Sequence, residues 1–184
     1  MSLLLSLQLK YQQLTVLLDR WLEPLALLAM RLLVARVFLL SGLSKWDGFL
    51  QFDVNKYELF LYEFFCPDPV RPGALLLCDA NTLDYSEGSF GQWLAEAMAV
   101  TAGVVEVVLP VLLIAGLLTR FAALGLLGMT LFIQFAVYPD WTHWWNPAAW
   151  WAVVSLMLLA RGPGVLSLDR WLGLENGRNH SDRV

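Results

Sequence analysis

The sequence predicts an all-α integral membrane protein: a four-helix transmembrane bundle with an N-terminal amphipathic helix and a long, partly helical outer loop. Three observations predict it. Of the 184 residues 58% are hydrophobic and 15% charged, a balance too apolar for an ordinary soluble domain. The apolar residues are bunched into runs of about 20, the number that crosses a hydrocarbon core of roughly 30 Å at about 1.5 Å per residue. Within those runs ionised side chains are rare, and Arg31, Arg36 and Glu106 stand out.

At the N-terminus, Leu4, Leu7, Tyr11, Leu14, Leu18, Trp21 and Leu25 recur at steps of three and four, with Gln8, Lys10, Gln12 and Asp19 off the stripe. That is an amphipathic helix, which either lies on the membrane surface or binds a partner. The first basic residue is Lys10 and no small-residue cleavage site follows a short apolar core, so a cleavable signal peptide is not expected. Pro24 ends this helix and suits the first turn of the next. Residues 1–23 are therefore read as the interfacial helix, 24–161 as the transmembrane domain with an outer loop over about 46–92, and 162–184 as a cytoplasmic tail.

The spans follow in order. Leu25 to Leu43, Met98 to Leu118 and Phe121 to Tyr138 are each long enough to cross, and Pro147 to Ala160 reaches with the help of Trp144 and Trp145 at headgroup level. Lys10, Arg20, Arg120, Arg161, Arg170, Arg178 and Arg183 lie on one side, against Lys45, Lys56 and Arg71 on the other. The positive-inside rule then puts both termini in the cytoplasm, in a bacterial inner membrane. His180 falls in the polar tail Asn176 to Val184, opposite the outer loop.

Cys66 and Cys78 both fall in that loop, where three readings stay open: a structural disulfide, two inert thiols, or a catalytic pair. Their spacing is far from that of dithiol oxidoreductases. Phe49, Phe52, Tyr57, Phe60, Leu61, Phe64 and Phe65 precede Pro67 and Pro69 and predict an aromatic helix that caps the bundle.

The buried charges need partners. Eleven Leu, Val and Phe residues between Leu25 and Leu43 offset about 5 kcal/mol of insertion free energy, against about 5 to 7 for Arg31 and Arg36. Glu106 is the expected counter-ion, and Arg31, Arg36 and Glu106 form a candidate buried charge cluster that either fixes helix register or serves as a proton relay or polar headgroup site. The two arginines differ by about 140° around a helix, so one faces Glu106 and the other meets Gln134, Ser155 or a water cavity.

A second constellation lies at the outer edge. Lys45 ends the first span, Glu96 lies about 15 Å outward of Glu106, and Asp140, His143 and Trp144 sit in the aromatic stretch Tyr138 to Asn146. One reading makes the tryptophans membrane anchors. In the other, Lys45, Glu96, Asp140, His143 and Trp144 converge to hydrogen-bond a quinone-like head whose tail lies in lipid. No Cys or His pair has zinc-like spacing, and Gly162-Pro163-Gly164 lacks the Lys and Ser/Thr of a phosphate cradle, so neither a metal nor a nucleotide is expected.

Several segments, taken together and in order, resemble the DoxX family of small four-helix membrane proteins. They are Arg31-Leu32 and Ser41-Gly42-Leu43-Ser44-Lys45, then Glu106-Val107-Val108-Leu109-Pro110 and Gly116-Leu117-Leu118-Thr119-Arg120. Tyr138-Pro139-Asp140, His143-Trp144 and Arg161-Gly162-Pro163-Gly164 complete the series. The resemblance covers about Arg31 to Leu172, and the longer outer loop and N-terminal helix depart from it. It implies a membrane subunit of a redox system, quinone-linked in some relatives; a non-enzymatic scaffold or assembly factor is the rival expectation. The expected partners are the lipid bilayer, a membrane or periplasmic redox protein and a second copy of the chain, and no nucleic acid.

Overall fold

The computed structural model describes residues 2–48 and 51–175; Phe49, His180 and the polar tail from Asn176 lie outside the described residues. Helix α1 (Ser2–Leu43) leads into a short antiparallel hairpin, β1 (Trp46–Gly48) and β2 (Gln51–Phe52), and then into α2 (Val54–Leu59). After the loop come α3 (Phe90–Ala115) and α4 (Thr119–Phe132), the second continued by a wide π turn, Ile133–Val137. The short α5 (Trp141–His143), a further π turn (Trp144–Ala148), α6 (Ala149–Arg161) and α7 (Leu168–Trp171) complete the described residues.

Four helices close a ring, α1 on α3, α3 on α4, α4 on α6 and α6 back on α1. Its interior is filled by Val34, Ala35 and Phe38 of α1, Leu113 of α3, Leu126 of α4 and Leu158 of α6. Among the described residues three helices, α1, α3 and α4 with its continuation, are long and apolar enough to cross a membrane. At 13 residues, about 20 Å, α6 is the short member. Asn146 has extended backbone (φ −151°, ψ 100°) and interrupts the chain just ahead of Pro147, so the regular helix begins only at Ala149.

The boundary expected at Pro24 is not a break in the structure. Residues 2–43 form one helix of 42 residues, about 63 Å long, with Pro24 inside it. Proline deletes one hydrogen bond and crowds one carbonyl, at about 3 kcal/mol, and contacts on either side of it offset that. Glu23 pairs with Arg161 of α6, and Leu27 packs where a side chain on Gly164 would stand. Beyond that point the N-terminal part of α1 projects, with Leu7, Tyr11, Leu14 and Trp21 exposed.

The long loop caps one end of the ring. Phe60, Leu61 and Phe65 pack with Ala95 and Ala99 of α3 and Val137 after α4. Backbone bonds stitch it down, from Leu75 N–H to Ala136 C=O (2.7 Å) and from Leu77 N–H to Phe65 C=O (3.0 Å). A disulfide joins Cys66 to Cys78. The regular helix in this loop is shorter than its aromatic content suggests, one turn and a half of α2 and a π turn, Phe60–Phe64.

Candidate functional site

The site begins with a close approach of two backbones. Gly42 of α1 lies against Glu106 of α3, and a Cβ at residue 42 would stand 2.7 Å from the Glu106 carbonyl carbon. Any other residue would hold the helices apart. With that register, Lys45 reaches Glu106, and its Nζ donates to Oε2 at 2.5 Å, both side chains being largely buried. The same ammonium also donates to the Ser41 carbonyl (3.3 Å) and hydroxyl (3.1 Å).

This pairing corrects the expected cluster of Arg31, Arg36 and Glu106. Because Gly42 is opposite Glu106, Arg31 lies eleven residues away, about 16 Å toward the other end of α1. There it is 2% exposed and serves a different purpose. Its guanidinium donates to the carbonyls of Pro163 (2.8 Å), Leu166 (2.8 Å) and Ile114 (3.4 Å). It thereby ties the end of α3 to the turn after α6. Asp169 sits beside it, with its carboxylate accepting from Leu118 N–H (2.7 Å) and Thr119 N–H (2.9 Å) at the start of α4. That bond holds Leu118 in left-handed backbone, φ 48°, after Gly116 at φ 67°. Arg36 is exposed on the outer face of α1 and forms no ion pair among the described residues.

The second part of the site is built on the π turn after α4, a widening of the helix of the kind found often at functional positions. It directs the buried Gln134 toward the connector. Gln134 Nε2 donates to the Asp140 carbonyl (2.9 Å), and its Oε1 meets His143 Nδ1 at 2.7 Å. The Asp140 carboxylate accepts from the His143 backbone N–H (2.8 Å), which caps α5. The imidazole stacks on Tyr138 (4.9 Å between centroids, 26° between planes) and meets the edge of Trp151. Burial lowers the His143 pKa below 6.5, with Asp140 acting weakly in the opposite sense. The ring is therefore neutral at pH 7.

Between these parts lies a cavity of about 700 Å³, lined by Lys45, Glu106 and His143 among aromatic and aliphatic side chains that include Phe60, Phe64 and Phe132. The structure thus brings together three of the residues singled out in the sequence. Asp140 acts from behind His143, and Trp144 lies in the turn that follows, outside the cavity wall. Glu96 is elsewhere: it accepts from Gln92 Nε2 (3.0 Å) in a shallow recess near the start of α3, where burial first and then the Glu96 carboxylate push the Tyr57 hydroxyl up to about 12.

Gln134, Ser41 and Asp169 hold the site and its frame without having been expected to do so. Only Gln134 carried a signal, as a polar residue inside an apolar run.

A family model, DoxX, matches residues 26–139, which include α1 from its middle, the loop, α3 and α4. Comparison with curated proteins returns no match, and neither does comparison with solved structures.

Proposed function

Because the chain belongs to the DoxX family of integral membrane proteins, we propose that it is the membrane subunit of a quinone-linked redox system and holds the head of a quinone-type molecule in the cavity. The single observation that carries this reading is the combination of a cavity walled largely by aromatic and aliphatic side chains with a Lys45–Glu106 ion pair and a neutral imidazole. Such cavities, mostly apolar with a few placed polar groups, are the usual form of small-molecule sites. Phe60, Phe64 and Phe132 offer aromatic surface for a ring, and the paired charges leave the site without net charge, which suits a neutral head. A bound quinone supplies two-electron, two-proton chemistry; the chain's own part is to seat the ring, exclude water and present polar atoms to its oxygens.

The same proposal includes the bacterial inner membrane, with both termini in the cytoplasm. The excess of Lys and Arg on the Arg31 side of the bundle supports it, as does the Cys66–Cys78 disulfide in the loop on the other side, since disulfides persist in oxidising compartments.

The exposed leucines and aromatics along the first half of α1 favour a second reading, a scaffold that docks a partner protein there. One experiment separates the two. The full chain in lipid nanodiscs is titrated with a short-tailed benzoquinone while tryptophan fluorescence is followed, beside the variant His143→Ala. Saturable binding that weakens at least about tenfold in the variant supports the redox subunit. No binding by the wild type, with partner proteins recovered equally by both, overturns it in favour of the scaffold.

A further inference from the structure

The polar atoms that the cavity has left to offer include two acceptors on ionisable groups and one buried donor, Trp151 Nε1, which has no partner among the described residues. Lys45 Nζ already faces three acceptors supplied by the chain, the Glu106 carboxylate and both oxygens of Ser41. Glu106 spends Oε2 on that bond, and its Oε1 has no partner among the described residues. An ionised carboxylate oxygen is an acceptor only.

His143 resolves the same way, through Gln134. The Asp140 carbonyl can only accept, so the Gln134 group facing it is the NH₂, and the atom facing His143 is therefore the amide oxygen. An amide oxygen cannot donate. His143 Nδ1 must then carry the proton, which leaves Nε2 as a bare lone pair without a partner among the described residues. Glu106 and His143 thus each present a free acceptor in the cavity wall.

A quinone has two carbonyl oxygens and no donor, so it can accept from Trp151 Nε1 but leaves Glu106 Oε1 and His143 Nε2 unpaired, whereas a hydroxyl can serve the donor and the acceptors alike. Its two-electron reduced form has two hydroxyls, each a donor. We infer that the cavity selects the reduced, dihydroxyarene form of its ligand over the oxidised form, with Glu106 and His143 as the specificity-determining acceptors and Gln134 as the residue that fixes the His143 tautomer. This rests on the reading of the cavity as a quinone-type site, and it adds the direction of preference. A site that hydrogen-bonds a hydroxyl rejects the analogue lacking it because the site's own polar atoms are then left unpaired.

Two measurements test it. In the first, the full chain in nanodiscs is titrated without oxygen with one tailed benzoquinone in three forms: oxidised, reduced to the hydroquinone, and as the dimethyl ether of the hydroquinone. The expected result is that the hydroquinone binds about tenfold or more tightly than the other two, and that His143→Phe or Gln134→Leu brings the ratio toward one. Equal binding of the oxidised and reduced forms, or tighter binding of the oxidised one, overturns the inference and leaves the quinone-site reading standing. Failure of all three forms to bind removes both. In the second, nitrogen-15 shifts of the two histidines of the unligated wild type report the tautomer directly. A protonated Nδ1 on His143 is expected, and a protonated Nε2 overturns the inference whatever the variants do.

Discussion

Gly42 and Glu106 touch backbone to side of helix, so closely that a methyl group on residue 42 would stand 2.7 Å from the Glu106 carbonyl carbon and 2.9 Å from its Cβ. The first prediction follows from that contact. Gly42→Ala forces α1 and α3 apart, at about 1 to 3 kcal/mol of stability. It also draws Lys45 from Glu106. Unfolding in mixed detergent checks the loss, and a variant as stable as the wild type would mean that the helices are not in this register.

The ion pair itself predicts a non-additive pattern. Glu106→Gln leaves the Lys45 ammonium largely buried without a counter-charge, at a cost of about 3 kcal/mol or more. Adding Lys45→Met removes the stranded charge and recovers most of the loss. A double-mutant cycle measures the coupling, and strict additivity of the two changes would contradict the pairing.

The two arginines of α1 are expected to behave in opposite ways. Arg31→Leu strips a donor from the carbonyls of Pro163, Leu166 and Ile114 and destabilises by about 3 to 5 kcal/mol. Arg36→Leu replaces a guanidinium on an apolar outer face by an alkyl chain and makes insertion of the helix about 3 to 4 kcal/mol more favourable. Insertion assays and detergent unfolding of the two variants side by side decide this; equal losses would place Arg36 in a contact of its own.

His143 gives a pH dependence. Its folded-state pKa is below the ordinary 6.5 because burial disfavours the imidazolium, so the unfolded chain takes up the proton more readily. The contribution to stability is complete above about pH 6.5 and is lost as pH falls through the lowered value. Wild type should therefore lose more of its melting temperature than His143→Gln when the pH is lowered through this window. Parallel curves for the two proteins would show that His143 titrates normally.

Much of this architecture was legible in the sequence because bilayer thickness acts on one helix at a time. The runs at Leu25, Met98 and Phe121 each report a length, and α1, α3 and α4 follow from them. Which residues meet across helices depends on register, which no single run contains. Aligning the centres of the first two runs sets Glu106 against the arginines. The structure slides α3 so that Glu106 meets the last turn of α1, and Lys45, which looked like a surface group, becomes its partner. Gly42 was the clue to that shift, as the small residue that lets two helices close. Pro24 misled for a different reason: a helix tolerates a proline when neighbours hold both sides, and Arg161 and Gly164 are remote in sequence. His143 was legible as a residue, whereas its orientation by Gln134 depends on a π turn that apolar periodicity does not announce.

Since α1 runs unbroken for 42 residues, it is mechanically a single rod with a fulcrum. Arg31, gripped by three carbonyls, is the pivot, with the exposed leucines on the long arm and Lys45 on the short one. A tilt of about 10° around that pivot carries Lys45, fourteen residues or about 21 Å away, through roughly 3.5 Å. That is enough to part it from Glu106. A load on the long arm would therefore be read out as a change in the Lys45–Glu106 distance.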